Sequence, residues 1–259
     1  MKEQNTSVLI NSVNRTLDIL EYLFRVGGEV SISQISKELG LYKSTVYRSL
    51  ATLQNRGYVK QNPANDCYSL GIKTFILGSG ARIESELEQT VHPYMQQLND
   101  RFHESVNLSV LTRDVDGVYK SVILSKVDSK LSLSAYTNIG SLNECYCCAV
   151  GKCLLTFSDS IDLDVYREHP LERFTDTTIT SVEALRAELD TVRMQGYAID
   201  NEEREIGLYC IGAPILQNGV AVAAISLSGP TARMCGSDQA ERIEYIRQLS
   251  AEISQAVSI

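Results

Sequence analysis

The chain of 259 residues contains no apolar run close to the roughly 20 residues that cross a bilayer. Its opening, MKEQNTSVLINSVNR, has neither the apolar stretch nor the small-residue cleavage site of a signal peptide. Both absences point to the cytosol, where thiols stay reduced, so seven cysteines, an odd number, are not read as a disulfide framework. Histidine is scarce: His92, His103 and His169 are scattered, and none sits in a catalytic-looking motif. No Ser/His/Asp or Cys/His arrangement can be proposed from spacing. An enzyme with an appended domain therefore stays only as an alternative. A basic excess is missing too. The net charge of −8 argues against indiscriminate nucleic-acid binding. The charge is uneven, however: residues 1–73 hold nine Lys/Arg against six Asp/Glu, and the remainder 15 against 26. That asymmetry suits a small basic reader attached to an acidic body.

The first seventy residues carry three helical patterns. In SVNRTLDILEYLF, Val13, Leu17, Leu20 and Phe24 follow the spacing of one helical face, with Ser12 as cap and Gly27-Gly28 as stop. In SISQISKELG, Ser31 and Gln34 have capping-box spacing, Ile32, Ile35 and Leu39 form a short apolar face, and Gly40 permits a sharp turn. The third, LYKSTVYRSLATLQNRG, places Val46, Leu50 and Leu53 on a core face and ends at Gly57. Two short helices joined through a glycine-containing turn form a helix-turn-helix. The other face of the third helix offers Lys43, Ser44, Thr45, Tyr47 and Arg48. Arginine can fork onto a guanine edge, and lysine and hydroxyls can hold phosphates. YVKQNPANDCYSLG then reads as a β-hairpin, which makes the unit a winged helix with Lys60 on the wing near the DNA backbone.

In the second half, VNLSVLTRDVDGVYKSVILSKV reads as strands Val106–Thr112 and Gly117–Lys126 around an Asp116-Gly117 turn. SVEALRAELDTVRMQGY is an amphipathic helix capped by Ser181, and SDQAERIEYIRQLSAEISQAV a last helix capped by Ser237. YCIGAPIL and VAVAAISLSG are strands joined through Gln217-Asn218-Gly219. Ser226 and Ser228 share one face of the last strand, either exposed or buried with a partner. A three-residue loop sets Cys210 opposite Ser226; a two-residue Asn-Gly turn sets it opposite Leu227.

Four of the seven cysteines crowd into NECYCCAVGKCLLTF: Cys145, Cys147, Cys148 and Cys153. They lack the paired spacing of structural zinc sites and have no histidine nearby in sequence. A thiol- or metal-responsive regulator using the Cys145–Cys153 cluster is the other alternative, since low-pKa thiols at helix N-termini can be reactive. Gly151-Lys152 lacks the upstream glycine and following Ser/Thr of a phosphate-binding P-loop. The best reading is a helix N-terminus facing a cavity. Its first N–H groups are unpaired and suit a carboxylate, and the small residues Cys148, Ala149 and Gly151 permit close approach.

The order SISQISKELGLYKSTVYRSLATL, GYV, YSLG resembles the DNA-binding domain of the IclR family of bacterial transcription regulators, with Lys43–Leu50 matching its K-S-T-V-x-R-x-L stretch. The resemblance continues through GYAIDNEE (Gly196–Glu203), Cys210–Pro214 and AAISLSGP (Ala223–Pro230), nearly the whole chain. It implies an α/β (α+β) fold in two parts. A winged helix-turn-helix would occupy 8–71, a linker helix 72–87, and a GAF/profilin-like effector and oligomerisation domain with an antiparallel sheet 88–259. It implies a repressor of a catabolic operon, binding a double-stranded operator as a dimer or dimer of dimers and sensing a small organic acid, with no cofactor and no metal. It favours Cys210 opposite Ser226. Its pocket falls on Ala149, Val150, Asp200, Cys210, Ser226 and Ser228, with Asp200 accepting a hydrogen bond from a ligand hydroxyl. Cysteines stand here where the family usually has small hydroxyl residues or alanine.

Overall fold

A computed structural model describes residues 9–78, 82–114 and 116–257. The chain divides into two compact units, one up to Arg82 and one from Ile83.

In the first unit, α1 (Asn11–Val26), α2 (Ile32–Glu38) and α3 (Lys43–Asn55) are followed by β1 (Val59–Gln61), β2 (Tyr68–Leu70) and α4 (Ile72–Gly78). The reciprocal cap of α2 forms: the Gln34 N–H donates to Ser31 Oγ, and the Ser31 N–H donates to Gln34 Oε1. Val46, Leu50 and Leu53 of α3 are buried, and Gly40 takes a left-handed φ of 62° at the turn between α2 and α3. β1 and β2 pair antiparallel, and Val30 bridges to Tyr68 to tie the α1–α2 connection onto the hairpin.

The face of α1 departs from expectation. Ile19 and Leu23 are its buried residues, with Leu20 packed beside them, whereas Val13, Leu17 and Phe24 are 49%, 48% and 49% exposed. The helix carries two apolar stripes, and periodicity cannot say which one the rest of the unit covers. Ser12 does not cap it; Ile10 holds the N-cap position with no side-chain bond. The expected linker helix over 72–87 falls in part on 79–81, outside the described residues, as do the expected domain limits at 8 and 259. On either side of 79–81 the chain is helical, in α4 and in α5 (Arg82–Phe102).

The second unit is built on one antiparallel sheet in the order β5-β4-β3-β8-β7-β6. Its strands are β3 (Ser105–Arg113), β4 (Tyr119–Val127), β5 (Leu142–Glu144), β6 (Ala198–Asn201), β7 (Leu208–Gln217) and β8 (Val220–Pro230). One face is apolar: Val106, Leu108, Ile211, Ile215, Ile225 and Leu227 pack against Val91, Met95 and Leu98 of α5 and Ile246, Leu249 and Ile253 of α10 (Gln239–Ala256). The opposite face receives α6 (Ala149–Phe157) and, beyond it, α8 (Val182–Gln195), with Val150, Cys153, Leu154 and Val192 against Ala198 and Ala224. Short helices α7 (Val165–Glu168) and α9 (Thr231–Met234) complete the unit. Ser181 caps α8 as expected, accepting the Ala184 N–H. Ser237 does not cap α10; Asp238 holds that position, and Ser237 Oγ donates to its carboxylate.

The β7–β8 hairpin follows neither expected register. Its turn is two residues, Asn218-Gly219, both left-handed, between Gln217 and Val220. That turn alone would set Cys210 against Leu227. The register then shifts between Ile215 and Leu216, where Ile215 pairs with Ala223 and Leu216 with Ala221, leaving Val222 as an extra residue. This bulge moves Cys210 opposite Ser228 and puts Gly212 opposite Ser226. Cys210, Ser226 and Ser228 still share one face, because those two strand pairs lie two residues apart.

Candidate functional site

On the winged helix, Lys43, Ser44, Tyr47 and Arg48 are exposed along α3, and Lys43 and Arg48 have no ion pair among the described residues. Two cations without internal partners are free to neutralise phosphate or reach a base edge. Thr45 is only partly exposed. Tyr42, absent from the expected set, is 84% exposed immediately before α3. Only its place at the helix start could have marked it. Lys60 lies on the hairpin near Glu29, whose carboxylate accepts from Asn62 Nδ2 at 2.9 Å and Asn65 Nδ2 at 2.7 Å. Those amides, and then Lys60, hold the Glu29 carboxyl below its usual range.

On the second unit, two rows of side chains cross the face of the sheet beneath α6. Asp200, Cys210, Ser228 and Ser105 pair in sequence across β6, β7, β8 and β3. The next row is Ala198, Gly212, Ser226, Asn107 and Lys126. All of these polar side chains except Lys126 are buried, and the two hydroxyls of Ser226 and Ser228 lie 3.3 Å apart. A buried row of hydroxyls in an otherwise apolar fold is costly unless it is hydrogen-bonded. Gly212 admits the start of α6: a Cβ there would lie 2.8 Å from the Ala149 carbonyl carbon. The Ala149 and Val150 N–H groups have no acceptor among the described residues, as the first groups of a helix do not.

The structure thus brings Ala149, Val150, Asp200, Cys210, Ser226 and Ser228 to one region of one face. Gly151 has a different role from the one expected. A Cβ there would meet the Cys145 backbone at 2.4 Å, so its smallness lets α6 pack on the 3₁₀ turn Cys145–Cys147 rather than admitting a ligand. The stretch 133–137 lies against the β3–β4 side, with Ser105 Oγ donating to Ala135 O, Lys126 Nζ to Thr137 O and Thr137 Oγ1 to Asn107 Oδ1. Asn107 was legible in the sequence only as a polar residue inside the strand VNLSV.

Burial, above all, pushes Cys145, Cys147, Cys153 and Cys210 well up, and Cys148 up to about 11 despite the Ser121 hydroxyl 3.6 Å from its sulfur. A reactive thiol needs the opposite shift, which speaks against the thiol-switch alternative for this cluster. Among the described residues no group of three or more His, Cys, Asp or Glu is arranged to hold a metal ion. Asp200 is the unusual acid: 1% exposed, it accepts the Glu203 N–H at 2.8 Å, and burial lifts it to about 7.

A winged helix with an unpaired basic recognition face, in one chain with a sheet whose buried polar face meets a helix start, defines a DNA-binding regulator with a ligand-sensing unit. Comparison with known proteins gives the same class. Residues 12–63 match the IclR helix-turn-helix domain, and residues 82–255 match the bacterial transcriptional regulator IclR C-terminal domain. The chain is 36% identical to the transcriptional regulator KdgR of Escherichia coli K12 over 248 residues, 94% of this chain and 92% of KdgR. It is 31% identical to the transcriptional repressor AllR of Klebsiella pneumoniae, over 96% of this chain and 90% of AllR. The crystal structure of Thermotoga maritima IclR superposes with a TM-score of 0.66 at 28% identity, covering 96% of this chain and 99% of that one. The chain belongs to the IclR family of bacterial transcription regulators. No helix among the described residues is long and apolar enough to cross a membrane.

Proposed function

We propose that this regulator is a cytoplasmic repressor of a catabolic operon whose affinity for a pseudo-palindromic operator is set by a small carboxylate metabolite. The observation that carries the ligand class is the pair of N–H groups at Ala149 and Val150 that have no acceptor among the described residues, on the same sheet face as the buried Ser226–Ser228 and Asp200 rows. A helix start is a ready anion site, and the hydroxyl row is suited to the ligand's polar remainder. Repression is supported by the likeness to AllR, named a repressor. Arg48, Lys43, Ser44 and Tyr47 would read DNA, with Thr45 and Lys60 in lesser roles.

The regulator would act as a homodimer or a dimer of dimers. One small winged helix rarely supplies enough affinity alone, and two half-sites add it. The exposed stripe Val13, Leu17 and Phe24 of α1, with Ile10 just before it, and the exposed Ile72, Phe75, Ile76 and Leu77 of α4 are an apolar surface of the kind that a second copy buries. Ligand binding regulates only if it favours one arrangement of that oligomer. The test is thermal melting against a panel of small organic acids, followed by operator binding with and without those that stabilise the chain. If no carboxylate raises the melting temperature while another class does, the ligand reading is wrong.

A further inference from the structure

Lys152 lies one turn inside α6 and is 1% exposed. Its ammonium donates to Glu188 Oε1 at 3.0 Å, to Ile199 O at 2.8 Å and to Glu203 Oε1 at 2.5 Å. An ammonium has three protons to donate, so Lys152 has none left for Asp200. Asp200 makes no ion pair among the described residues. What faces it is the Glu203 N–H, the Arg204 main chain, the Glu203 carboxylate, the Lys152 ammonium and the thiols of Cys147, Cys148 and Cys210. The Arg204 guanidinium lies over the Phe174 ring instead, 3.9 Å from its centroid.

Nor can the segment after Asp200 turn to give it a cation. Thr177 Oγ1 donates to Asn201 O at 3.1 Å, Thr175 Oγ1 to Glu202 O at 2.6 Å and Thr178 Oγ1 to Glu203 O at 2.6 Å. Glu202 between them is held at a left-handed φ of 60°. Three successive carbonyls are thus gripped by three threonines from one side, while Lys152 holds Glu203 from the other. The geometry leaves a buried acid without a counter-ion, next to a helix start suited to a second carboxylate. Two anions in one buried site are mutually destabilising unless one takes a proton.

We infer, building on the carboxylate-binding reading above, that Asp200 meets the ligand as a neutral acid and donates a hydrogen bond to it, and that Glu203 and Lys152 are the positioning residues that hold it so. This replaces the acceptor role that the sequence suggested for Asp200. The proton comes from solvent as the ligand binds. Burial already lifts Asp200 to about 7; the Glu203 carboxylate pushes the same way, and Lys152 opposes it.

The experiment is isothermal titration of the full chain with pyruvate and with D-gluconate, from about pH 5.5 to pH 8.5 in buffers of differing ionisation heat. In the wild type, Kd should weaken by about tenfold per pH unit above neutrality, with uptake of one proton. Asp200→Asn should flatten the profile, because its amide keeps a donor at every pH. Glu203→Gln, which preserves shape, should move the midpoint to lower pH; a purely structural role for Glu203 would leave the midpoint in place. A ligand-free check is a protonated-carboxyl infrared band at pH 6 that Asp200→Asn removes. A flat wild-type profile, an Asp200→Asn profile that still follows wild type, an unmoved midpoint in Glu203→Gln or a missing band overturns the inference while leaving the carboxylate reading standing. If neither acid binds at any pH, the inference fails, and the carboxylate reading fails with it if no acid in the melting panel stabilises the chain either.

Discussion

The residues proposed for reading and for sensing sit in opposite kinds of environment. Arg48 is exposed and its guanidinium has no ion pair among the described residues, so it would cost little to reorganise onto a guanine edge. Arg48→Ala should weaken operator binding by about 1–3 kcal/mol if that contact is bidentate, measured by fluorescence anisotropy at fixed salt. Unchanged operator affinity would remove α3 from the reading role. Asp200 is the reverse case, a carboxyl taken out of water. Its native value near 7 lies above its ordinary 3.8, so the folded chain holds a proton that the unfolded chain releases between roughly pH 4 and pH 7. Raising pH through that window therefore costs folding stability, at most about 4 kcal/mol from this one group. Asp200→Asn should remove that loss. Relative to wild type, the variant should gain stability in urea melts as pH goes from about 5 to 8. Parallel pH profiles for the two proteins would show that Asp200 is ionised in the native state throughout.

At the scale of elements, α1 and α6 show what periodicity leaves undecided. The sequence of α1 offers Val13, Leu17, Leu20 and Phe24 at regular helical spacing, and also Ile19 and Leu23; the unit buries the second set. An exposed stripe at that spacing suits a partner helix. Replacing Val13 and Leu17 by serine should leave the winged helix folded, because both are about half exposed already. Sedimentation should then show a lower oligomeric state than wild type at equal concentration. An unchanged sedimentation profile would exclude α1 from the interface. In α6, a helix after Cys148 was legible from composition, but not what lies beneath it. Gly212, 63 residues further along the chain, is what lets Ala149 approach β7, and the bulge at Val222, which neither expected loop anticipates, sets Ser226 opposite that glycine.

For the whole molecule, reading and sensing fall in separate compact units, so they can be uncoupled by substitution. Replacing both Ser226 and Ser228 by alanine should abolish the change in operator affinity on adding ligand, while affinity without ligand stays at the wild-type level. Normal responsiveness in the double variant would displace the pocket from this face. The local signals were enough for much of the plan. The Ser31–Gln34 cap, the Val46–Leu50–Leu53 face, the Ser181 cap and the same-face placement of Ser226 and Ser228 all rest on helix or strand periodicity or on contacts within a few residues, and these the sequence by itself determined. It did not determine which stripe of α1 is covered, which strand residue faces Cys210, that Gly151 packs against Cys145, or that Lys152 is tied to Glu188 and Glu203 and so leaves Asp200 without a counter-ion. Each of those depends on groups brought together from distant parts of the chain, where a single bulge or one committed ammonium changes the outcome, and only the tertiary structure decides them.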